Sequence, residues 1–381
     1  MVRSARVPSV ISTASDLPKA KRLVVKVGSS SLTTVNGGIS TDRLNFLVDS
    51  LAPLVAGGTE LVFVSSGAIA AGLQPLGFER RPKDLASQQA AAAVGQGLLL
   101  AQYTNAFNKH GVQVAQVLLT ADDLTRRQSY GNAFRTLNRL LNIGGVLPIV
   151  NENDTVATHS VRFGDNDRLA ALVAHMLKAD ALLLFSDVDS VYDAHPNEGG
   201  TRISEVAHPD ELEDVDLGTA GAAGVGTGGM ITKVEAATIA SDAGIPALVT
   251  STANVRRALA GEDVGTWFAA RGTRRSARAV WLAHLASTKG KIIIDRGAVN
   301  ALRTGENSLL AAGITGVEGN FEAGAAVEIC DAQGKVIARG LVNFGSDELP
   351  QMFGRSSIEL GEELGEDYVR SVVHVDDLAL V

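Results

Sequence analysis

The feature that most constrains the fold of this chain is the alternation of short apolar runs with helical patterns between residues 22 and 268. The runs at residues 23–27, 61–64 and 181–185 are apolar almost throughout, which is typical of strands buried on both faces. Helical patterns separate them, so consecutive strands are joined by crossovers. The sequence therefore predicts an α/β fold with a mostly parallel sheet. Further strand candidates are residues 112–119, 146–150 and 247–250, and the clearest helix candidates are residues 41–56, 68–72, 85–108 and 168–177.

A different pattern begins near residue 289, where short apolar runs follow one another with glycines and no long helix between them. Such a series is typical of a small β-barrel-like domain. Before it, residues 271–278 read RGTRRSAR, a basic linker. The expected division is a mobile N-terminal tail (1–20), an α/β domain (21–270), a linker (271–288), a β-barrel-like domain (289–367) and a C-terminal segment (368–381).

Composition excludes several classes of protein. The formal net charge of −8 argues against a general binder of nucleic acids or anionic membranes. The single cysteine, Cys330, excludes an internal disulfide, indicates a reducing compartment and is expected to be a buried strand residue. No apolar run approaches the roughly 18 residues of a membrane span, and the N-terminus lacks the apolar core of a secretory signal. These features predict a cytoplasmic protein.

A glycine-rich segment at residues 224–233, GVGTGGMITK, indicates an anion site. Glycines let backbone N–H groups approach an anion, and the start of a helix adds unpaired N–H groups and a favourable dipole. The P-loop motif fails here, because Met230 stands where its lysine should be. The dinucleotide motif also fails, because no apolar strand precedes the glycines. A flexible glycine linker is the alternative interpretation.

Small polar residues follow strand after strand in the α/β domain. Ser65, Ser66 and Gly67 follow the second strand, residues 151–154 (NEND) follow another, and Ser186 and Asp187 follow a third. Residues 164–167 (GDND) precede a helix. Turn formation and helix capping could explain each group singly. Their repetition favours a ligand site at the carboxyl edge of the sheet.

Lys26 is a charge inside the first apolar strand. A buried lysine needs an anionic partner, which could be a phosphate, Asp165 or Asp167. An edge-strand lysine that points into water is the alternative.

With these residues the chain resembles the amino acid kinase family, and within it the members that phosphorylate glutamate. The resemblance covers nearly all of the chain after the tail, and residues 289–367 resemble a PUA domain. The matching segments are VVKVGSSSL (24–32), VSSGAIAAG (64–72), PIVNENDTVAT (148–158), FGDNDRLAALVA (163–174) and GTGGMITK (226–233).

The resemblance implies an αβα sandwich and an enzyme that uses ATP and Mg²⁺ to phosphorylate the side-chain carboxylate of L-glutamate, the first step of proline biosynthesis. It also implies inhibition by proline, a homo-oligomer such as a dimer or tetramer, and a product passed to the next enzyme of the pathway. The catalytic residues would be Lys26, Lys233 and Asp167. Glutamate would be bound by Ser66, Asp154, Asp165 and Asn166, and ATP by Lys26, Gly28, Ser186, Asp187, Thr227, Gly228, Gly229, Met230, Ile231, Thr232 and Lys233.

The chemistry agrees with this resemblance. A carboxylate is ionised at neutral pH and can attack the γ-phosphorus without a general base, whereas the two anions need positive charge between them. Lys26 and Lys233 would supply that charge, Asp167 would hold them in place, and amides around Gly28 and residues 228–229 would bind phosphoryl oxygens. Mg²⁺ would bridge the ATP phosphates, so no dedicated protein metal site is expected.

Two alternatives remain open. One is another kinase of the same family, acting on aspartate, acetylglutamate, carbamate or UMP; the SSGAIAAG and NENDTVAT segments argue against it. The other is an RNA-binding protein, because PUA domains occur in RNA-modifying enzymes. Residues 289–367 contain 7 Lys/Arg and 13 Asp/Glu, a net charge of −6, which makes nucleic acid an improbable main partner.

Overall fold

The computed structural model describes residues 11–32, 38–120, 123–124, 127–156, 166–194, 199–212, 215, 217, 229–271, 288–305 and 307–380. The chain divides into two compact units, Met1–Arg274 and Arg275–Val381. Each unit has its own hydrophobic core. No helix within the described ranges is long and apolar enough to cross a membrane.

The first unit contains an eight-stranded sheet in which nearly all neighbours are parallel. Its spatial order is β3-β4-β2-β1-β5-β9-β10-β8, and the one antiparallel pairing among its described strands joins β10 to β9, so β10 and its parallel neighbour β8 run opposite to the other six strands. The mostly parallel sheet predicted from the sequence is thus confirmed. The strands of this unit are β1 (Arg22–Val27), β2 (Glu60–Ser65), β3 (Gln113–Leu119), β4 (Val146–Glu152), β5 (Ala181–Ser186), β6 (Val191–Tyr192), β7 (Arg202–Ile203), β8 (Glu205–Val206), β9 (Ala247–Ser251) and β10 (Thr266–Phe268), of which β6 and β7 form a separate pair.

Helices cover both faces of this sheet, as the αβα expectation requires. The helices are α1 (Ser29–Leu32), α2 (Thr41–Ala56), α3 (Ala68–Leu73), α4 (Leu85–Asn108), α5 (Arg127–Ile143), α6 (Asn166–Leu177), α7 (Met230–Asp242) and α8 (Val255–Leu259). One face shares a core with α2, α4 and α8, whereas α5, α6 and α7 pack on the other. N-cap residues define where α2 and α4 begin. The side chains of Ser40 and Asp84 accept hydrogen bonds from the backbone N–H groups of Arg43 and Ser87.

The structure corrects the expected mobile tail for residues 11–20. Ala14–Lys19 forms a 3₁₀ helix, and Ile11 and Leu17 are buried in the core that contains α2 and α8. The Trp267 indole Nε1 also donates a hydrogen bond to the Ser12 carbonyl at 3.3 Å. Burial of these two apolar side chains offsets the entropy of ordering a short segment. Residues 1–10 lie outside the described residues.

The second unit contains a five-stranded sheet in the order β12-β11-β13-β14-β15. The strands are β11 (Gly290–Ile294), β12 (Ile314–Gly319), β13 (Ala326–Cys330), β14 (Val336–Val342) and β15 (Val373–Leu380), and two helices of 8 residues accompany them, α9 (Arg296–Arg303) and α10 (Ser357–Leu364).

Two details of this unit bear on the sequence expectations. Cys330 is buried in β13, as predicted. Residues 368–381 were expected to be a separate C-terminal segment, but β15 pairs antiparallel with β14 and completes the small sheet. The aliphatic residues Val373, Leu378 and Leu380 explain this, because they pack on or against the core of the unit.

Candidate phosphate and amino acid site

Lys26 lies in β1, the strand between β2 and β5, and is only 2% exposed. Its neighbours Val25 and Val27 face the core formed with α2, so the alternation of a strand turns Lys26 towards the opposite face. There its Nζ lies 2.5 Å from Asp167 Oδ1. The alternative of an exposed edge-strand lysine is therefore wrong.

Asp167 joins two lysines. It lies in the first turn of α6 and is fully buried. Its Oδ2 lies 3.3 Å from the Nζ of Lys233 and accepts a hydrogen bond of 3.1 Å from Thr232 Oγ1. Residues from β1, α6 and the first turn of α7 thus meet at one carboxylate.

This Lys26–Asp167–Lys233 cluster has an unusual charge balance. Two ammonium groups and one carboxylate together carry a net charge of +1, and all three side chains are buried. Removing charges from water is costly unless they are paired. Two ammonium groups held close together in this way can bind an anion such as a phosphoryl group.

The helix α7 begins at Gly229, whose carbonyl accepts hydrogen bonds from Thr232 Oγ1 at 3.0 Å and from Lys233 Nζ at 3.4 Å. Met230 is half-buried and Ile231 is 38% exposed. The preceding glycine-rich residues, with Thr227 and Gly228, lie outside the described residues, as do Gly164 and Asp165.

Gly28 differs from the expectation of an open anion-binding amide. Its N–H donates a hydrogen bond of 3.2 Å to the carbonyl of Phe185. This bond continues the pairing of β1 with β5, so the amide of Gly28 is engaged within the sheet. Gly28 therefore lies beside the cluster without presenting its N–H to a ligand.

A chain of amide side chains lies next to the cluster. Asn166, which precedes Asp167, donates from Nδ2 to the Ser65 carbonyl (2.6 Å), to Ser66 Oγ (3.1 Å) and to Asn151 Oδ1 (2.7 Å). Asn151 in turn donates from Nδ2 to Gln96 Oε1 at 2.6 Å. The structure thus brings Ser66 and Asn166, both predicted to bind substrate, into contact.

The helix α4 supports this region through Tyr103. Its hydroxyl shares a hydrogen bond of 2.9 Å with Ser65 Oγ, and its ring meets Phe63 edge-on at 5.3 Å between centroids. Burial raises the pKa of the Tyr103 hydroxyl far above its ordinary value, despite the opposing hydrogen bond from Ser65. Tyr103 is therefore a neutral hydrogen-bonding partner at physiological pH.

The remaining predicted residues lie at other strand ends. Asp154 is half-buried in the turn after β4. Ser186 ends β5, where its hydroxyl donates to the Val188 carbonyl and accepts from the Val188 N–H. Asp187 lines a pocket of about 550 Å³ with Ser31, Arg43 and other residues of α1 and α2. That pocket lies towards the α2 face, whereas the lysines meet on the α6–α7 face.

Sequence reasoning missed Gln96, Asn151 and Tyr103 as parts of this site. Asn151 belongs to the NEND segment and lies in the last two residues of β4, where a polar residue in an otherwise apolar strand is a usable signal. Gln96 and Tyr103 lie in the middle of an alanine-rich helix, and nothing in their local sequence distinguishes them from ordinary helical residues.

No group of three or more His, Cys, Asp or Glu side chains that could hold a metal ion occurs in the part of the chain that the structure describes. The ammonium groups of the two buried lysines are of the kind that bind phosphate oxygens.

Comparisons with known proteins agree with the architecture. The model of the amino acid kinase family matches residues 21–251, and the model of the PUA domain matches residues 290–364. The structure of a carbamate kinase from Giardia lamblia bound to AMP-PNP has a similar fold, with a TM-score of 0.50 at 17% identity, covering 67% of this chain and 100% of that one. The chain belongs to the amino acid kinase family and carries a PUA domain.

Two curated relatives are more specific. Glutamate 5-kinase of Streptomyces coelicolor is 58% identical over 364 residues, which cover 95% of this chain and 97% of that protein. Glutamate 5-kinase of Thermobifida fusca is 56% identical over 371 residues, covering 97% of this chain and 95% of that protein. The similarity to these two relatives extends through both units of the chain.

Proposed function

We propose that this protein phosphorylates the side-chain carboxylate of L-glutamate with ATP, giving L-glutamyl 5-phosphate, the first step of proline biosynthesis. The observation that carries the proposal is the buried Lys26–Asp167–Lys233 cluster, in which one carboxylate holds two ammonium groups close together. The names of the full-length relatives support glutamate as the acceptor.

The reaction forms a bond between a carboxylate oxygen and the γ-phosphorus, and breaks the bond from that phosphorus to the bridging oxygen of ADP. The glutamate side chain is already ionised at neutral pH, so it needs no general base. Lys26 and Lys233 would reduce the repulsion between the two anions, and Asp167 would keep both ammonium groups oriented. Mg²⁺ bound with the nucleotide would share in neutralising the charge of the ATP phosphates.

The other predicted residues have roles on either side of this cluster. On the amino acid side, Asn166 and Ser66 would bind polar groups of glutamate, and Asp154 and Asp165 would face its α-ammonium. On the nucleotide side, Ser186, Asp187 and residues 227–233 would bind ATP, whereas Gly28, whose N–H is engaged with the Phe185 carbonyl, would only border the nucleotide. The contacts of Asn166 with Ser66 support the first set.

The test is ATP turnover with a panel of acceptors, in which the unstable acyl phosphate is trapped as a hydroxamate. We expect turnover with L-glutamate to exceed that with aspartate, acetylglutamate, carbamate or UMP by at least about 100-fold in kcat/KM. A preference for any other acceptor would contradict the proposal.

Three regulatory and cellular features complete the proposal: inhibition by proline, a homo-oligomeric state and a cytoplasmic location. Proline is the end product of the pathway that the reaction would open, so its addition should lower the rate with L-glutamate. Light scattering after size-exclusion chromatography would give the oligomeric state. The acyl phosphate would pass to the next enzyme of the pathway.

A further inference from the structure

The position of Gln96 is set by close packing between α3 and α4. A Cβ atom on Gly95 would lie 1.8 Å from the carbonyl oxygen of Ala68, so the two helices approach each other at the backbone. Ala68 begins α3, directly after the Ser66–Gly67 turn. Gln96 is therefore held beside the segment that carries Ser66.

The side-chain amides of Asn166, Asn151 and Gln96 form a hydrogen-bonded row, the amide chain, and two backbone groups fix how these amides are oriented. The backbone N–H of Glu152 can only donate, and it donates to Asn151 Oδ1 at 2.8 Å. The carbonyl of Ser65 can only accept, and it accepts from Asn166 Nδ2. These two anchors decide which atom of each amide is oxygen and which is nitrogen.

These two anchors also determine which atom of Gln96 faces Asn151. Asn151 must present its Nδ2 to Gln96, so Gln96 receives that hydrogen bond on Oε1. Gln96 is half-buried, and among the described residues its Nε2 donates to no other group. The amide chain therefore ends in a hydrogen-bond donor, the Nε2 group of Gln96.

We propose that Gln96 binds the substrate by donating from Nε2 to the α-carboxylate of the amino acid. This inference rests on the proposed function. The side-chain carboxylate must face the Lys26–Asp167–Lys233 cluster to be phosphorylated, so the α-carboxylate points away from it. Gln96 is connected to Asn166, the neighbour of Asp167, through Asn151, so it is the member of the amide chain furthest along from the cluster. A carboxylate there can only accept hydrogen bonds and therefore requires a donor.

The decisive variant is Gln96→Glu. It keeps the length of the side chain and the oxygen that accepts from Asn151, but replaces the NH₂ donor with a negatively charged oxygen. We expect the KM for L-glutamate to rise about 10- to 100-fold, as for loss of a charged hydrogen bond, while the KM for ATP and kcat change less than about threefold. Gln102→Glu is the matched control, because Gln102 is exposed on the same helix, and it should change none of these values.

A change of substrate separates binding from a structural role. The α-amide of L-glutamate keeps the side-chain carboxylate but presents a neutral group with its own NH₂ donor. The ratio of kcat/KM for glutamate to that for its α-amide should fall at least about tenfold in Gln96→Glu and stay unchanged in Gln102→Glu. An unchanged ratio in Gln96→Glu would overturn the inference.

Two further outcomes complete the test. If Gln96→Glu does not fold, Gln96→Met replaces it, since Met has no donor and should also lower the ratio; an unchanged ratio there would overturn the inference. If the wild-type protein does not phosphorylate L-glutamate, the proposed function and this inference both fail. If it does and the ratio is unchanged, only the inference about Gln96 fails.

Discussion

At the scale of single residues, Lys233 offers the sharpest test of the phosphate site. Its Nζ lies 3.3 Å from the buried carboxylate of Asp167, which also binds Lys26. Lys233→Ala should lower kcat about 100-fold or more, because loss of a preorganised charge contact raises the barrier by several kcal/mol. Steady-state assays with ATP, Mg²⁺ and L-glutamate would measure it, with thermal unfolding to confirm that the variant folds. A decrease of less than fivefold would show that Lys233 does not contact the transferred group.

Tyr103 connects the site to stability. Tyr103→Phe removes the hydroxyl that pairs with Ser65 Oγ, and we expect it to lower the free energy of unfolding by about 1 kcal/mol, measured by urea titration at pH 7.

The same residue predicts a pH dependence. Burial raises the pKa of Tyr103 above its ordinary value of 10.0, so the folded protein keeps this proton while the unfolded chain loses it. The associated stability is fully present below pH 10 and is lost as the pH rises above 10. Wild-type protein should therefore lose more stability than Tyr103→Phe between pH 9.5 and about 11. Equal losses in the two proteins would contradict this assignment.

The residues that sequence reasoning could find were those out of place in their local pattern. Lys26 interrupts an apolar strand and Lys233 follows a run of glycines, and both meet at Asp167. Gln96 could not be found in this way, because its importance depends on Asn151, which is distant in sequence. The two residues meet only in the fold, where α4 packs against β3, the neighbour of β4.

At the scale of secondary-structure elements, the contact between α3 and α4 can be tested with two glycines of one helix. Gly95→Ala would place a methyl group 1.8 Å from the Ala68 carbonyl, so the helices must separate. We expect a loss of about 1–3 kcal/mol in unfolding free energy and a raised KM for glutamate. Gly97→Ala is the control: nothing lies within 4 Å of its Cβ position, and alanine should stabilise α4 by up to about 1 kcal/mol. Similar effects of the two substitutions would argue against this close contact.

An ion pair joins the first turn of α6 to the second turn of α7. Arg168 donates from Nε at 3.1 Å and from Nη2 at 2.5 Å to Glu235 Oε2. The neighbouring residues Asp167 and Lys233 form the cluster, so we regard Arg168 as a positioning residue.

This role predicts a separation between stability and activity. Partly exposed ion pairs contribute about 1 kcal/mol or less, so Arg168→Ala should change stability little. It should lower kcat about 5- to 20-fold with little change in either KM, because small displacements of catalytic groups are costly. The charge-reversed double variant Arg168→Glu/Glu235→Arg should recover most of kcat. The positioning role would be contradicted if kcat did not recover in the double variant, or if Arg168→Ala lowered stability but not kcat.

Most elements were predictable because strands in a parallel sheet are continuously apolar and the long helices carry clear caps. The misassigned segments depend on distant partners. Residues 11–20 have little local signal and are ordered by burial against α2 and α8. The strand β15 contains two aspartates and a histidine, so its local sequence resembles a polar tail, and its pairing with β14 decides its structure.

At the scale of the whole molecule, the two units have separate cores. Leu183 belongs to the first core and Ile329 to the second, and both are fully buried. Each substitution by alanine should cost about 2–5 kcal/mol. Calorimetry should show that Leu183→Ala lowers the melting temperature of one transition and Ile329→Ala that of another. If both substitutions lower the same single transition, the units unfold together.

The location of Lys26 in the central strand also has a consequence for the order in which the molecule is assembled. β1 is synthesised before every other strand of its sheet, yet the carboxylate that neutralises its lysine comes from α6, far later in the chain, and Lys233 follows later still. A nascent chain that has completed only β1 and β2 would have to bury this ammonium group without the Asp167 carboxylate to form the centre of the sheet. Stable closure of the sheet must therefore wait until α6 has been synthesised. The Lys26–Asp167 pair that prepares the site for phosphate thus also delays the folding of β1, the strand that carries Lys26.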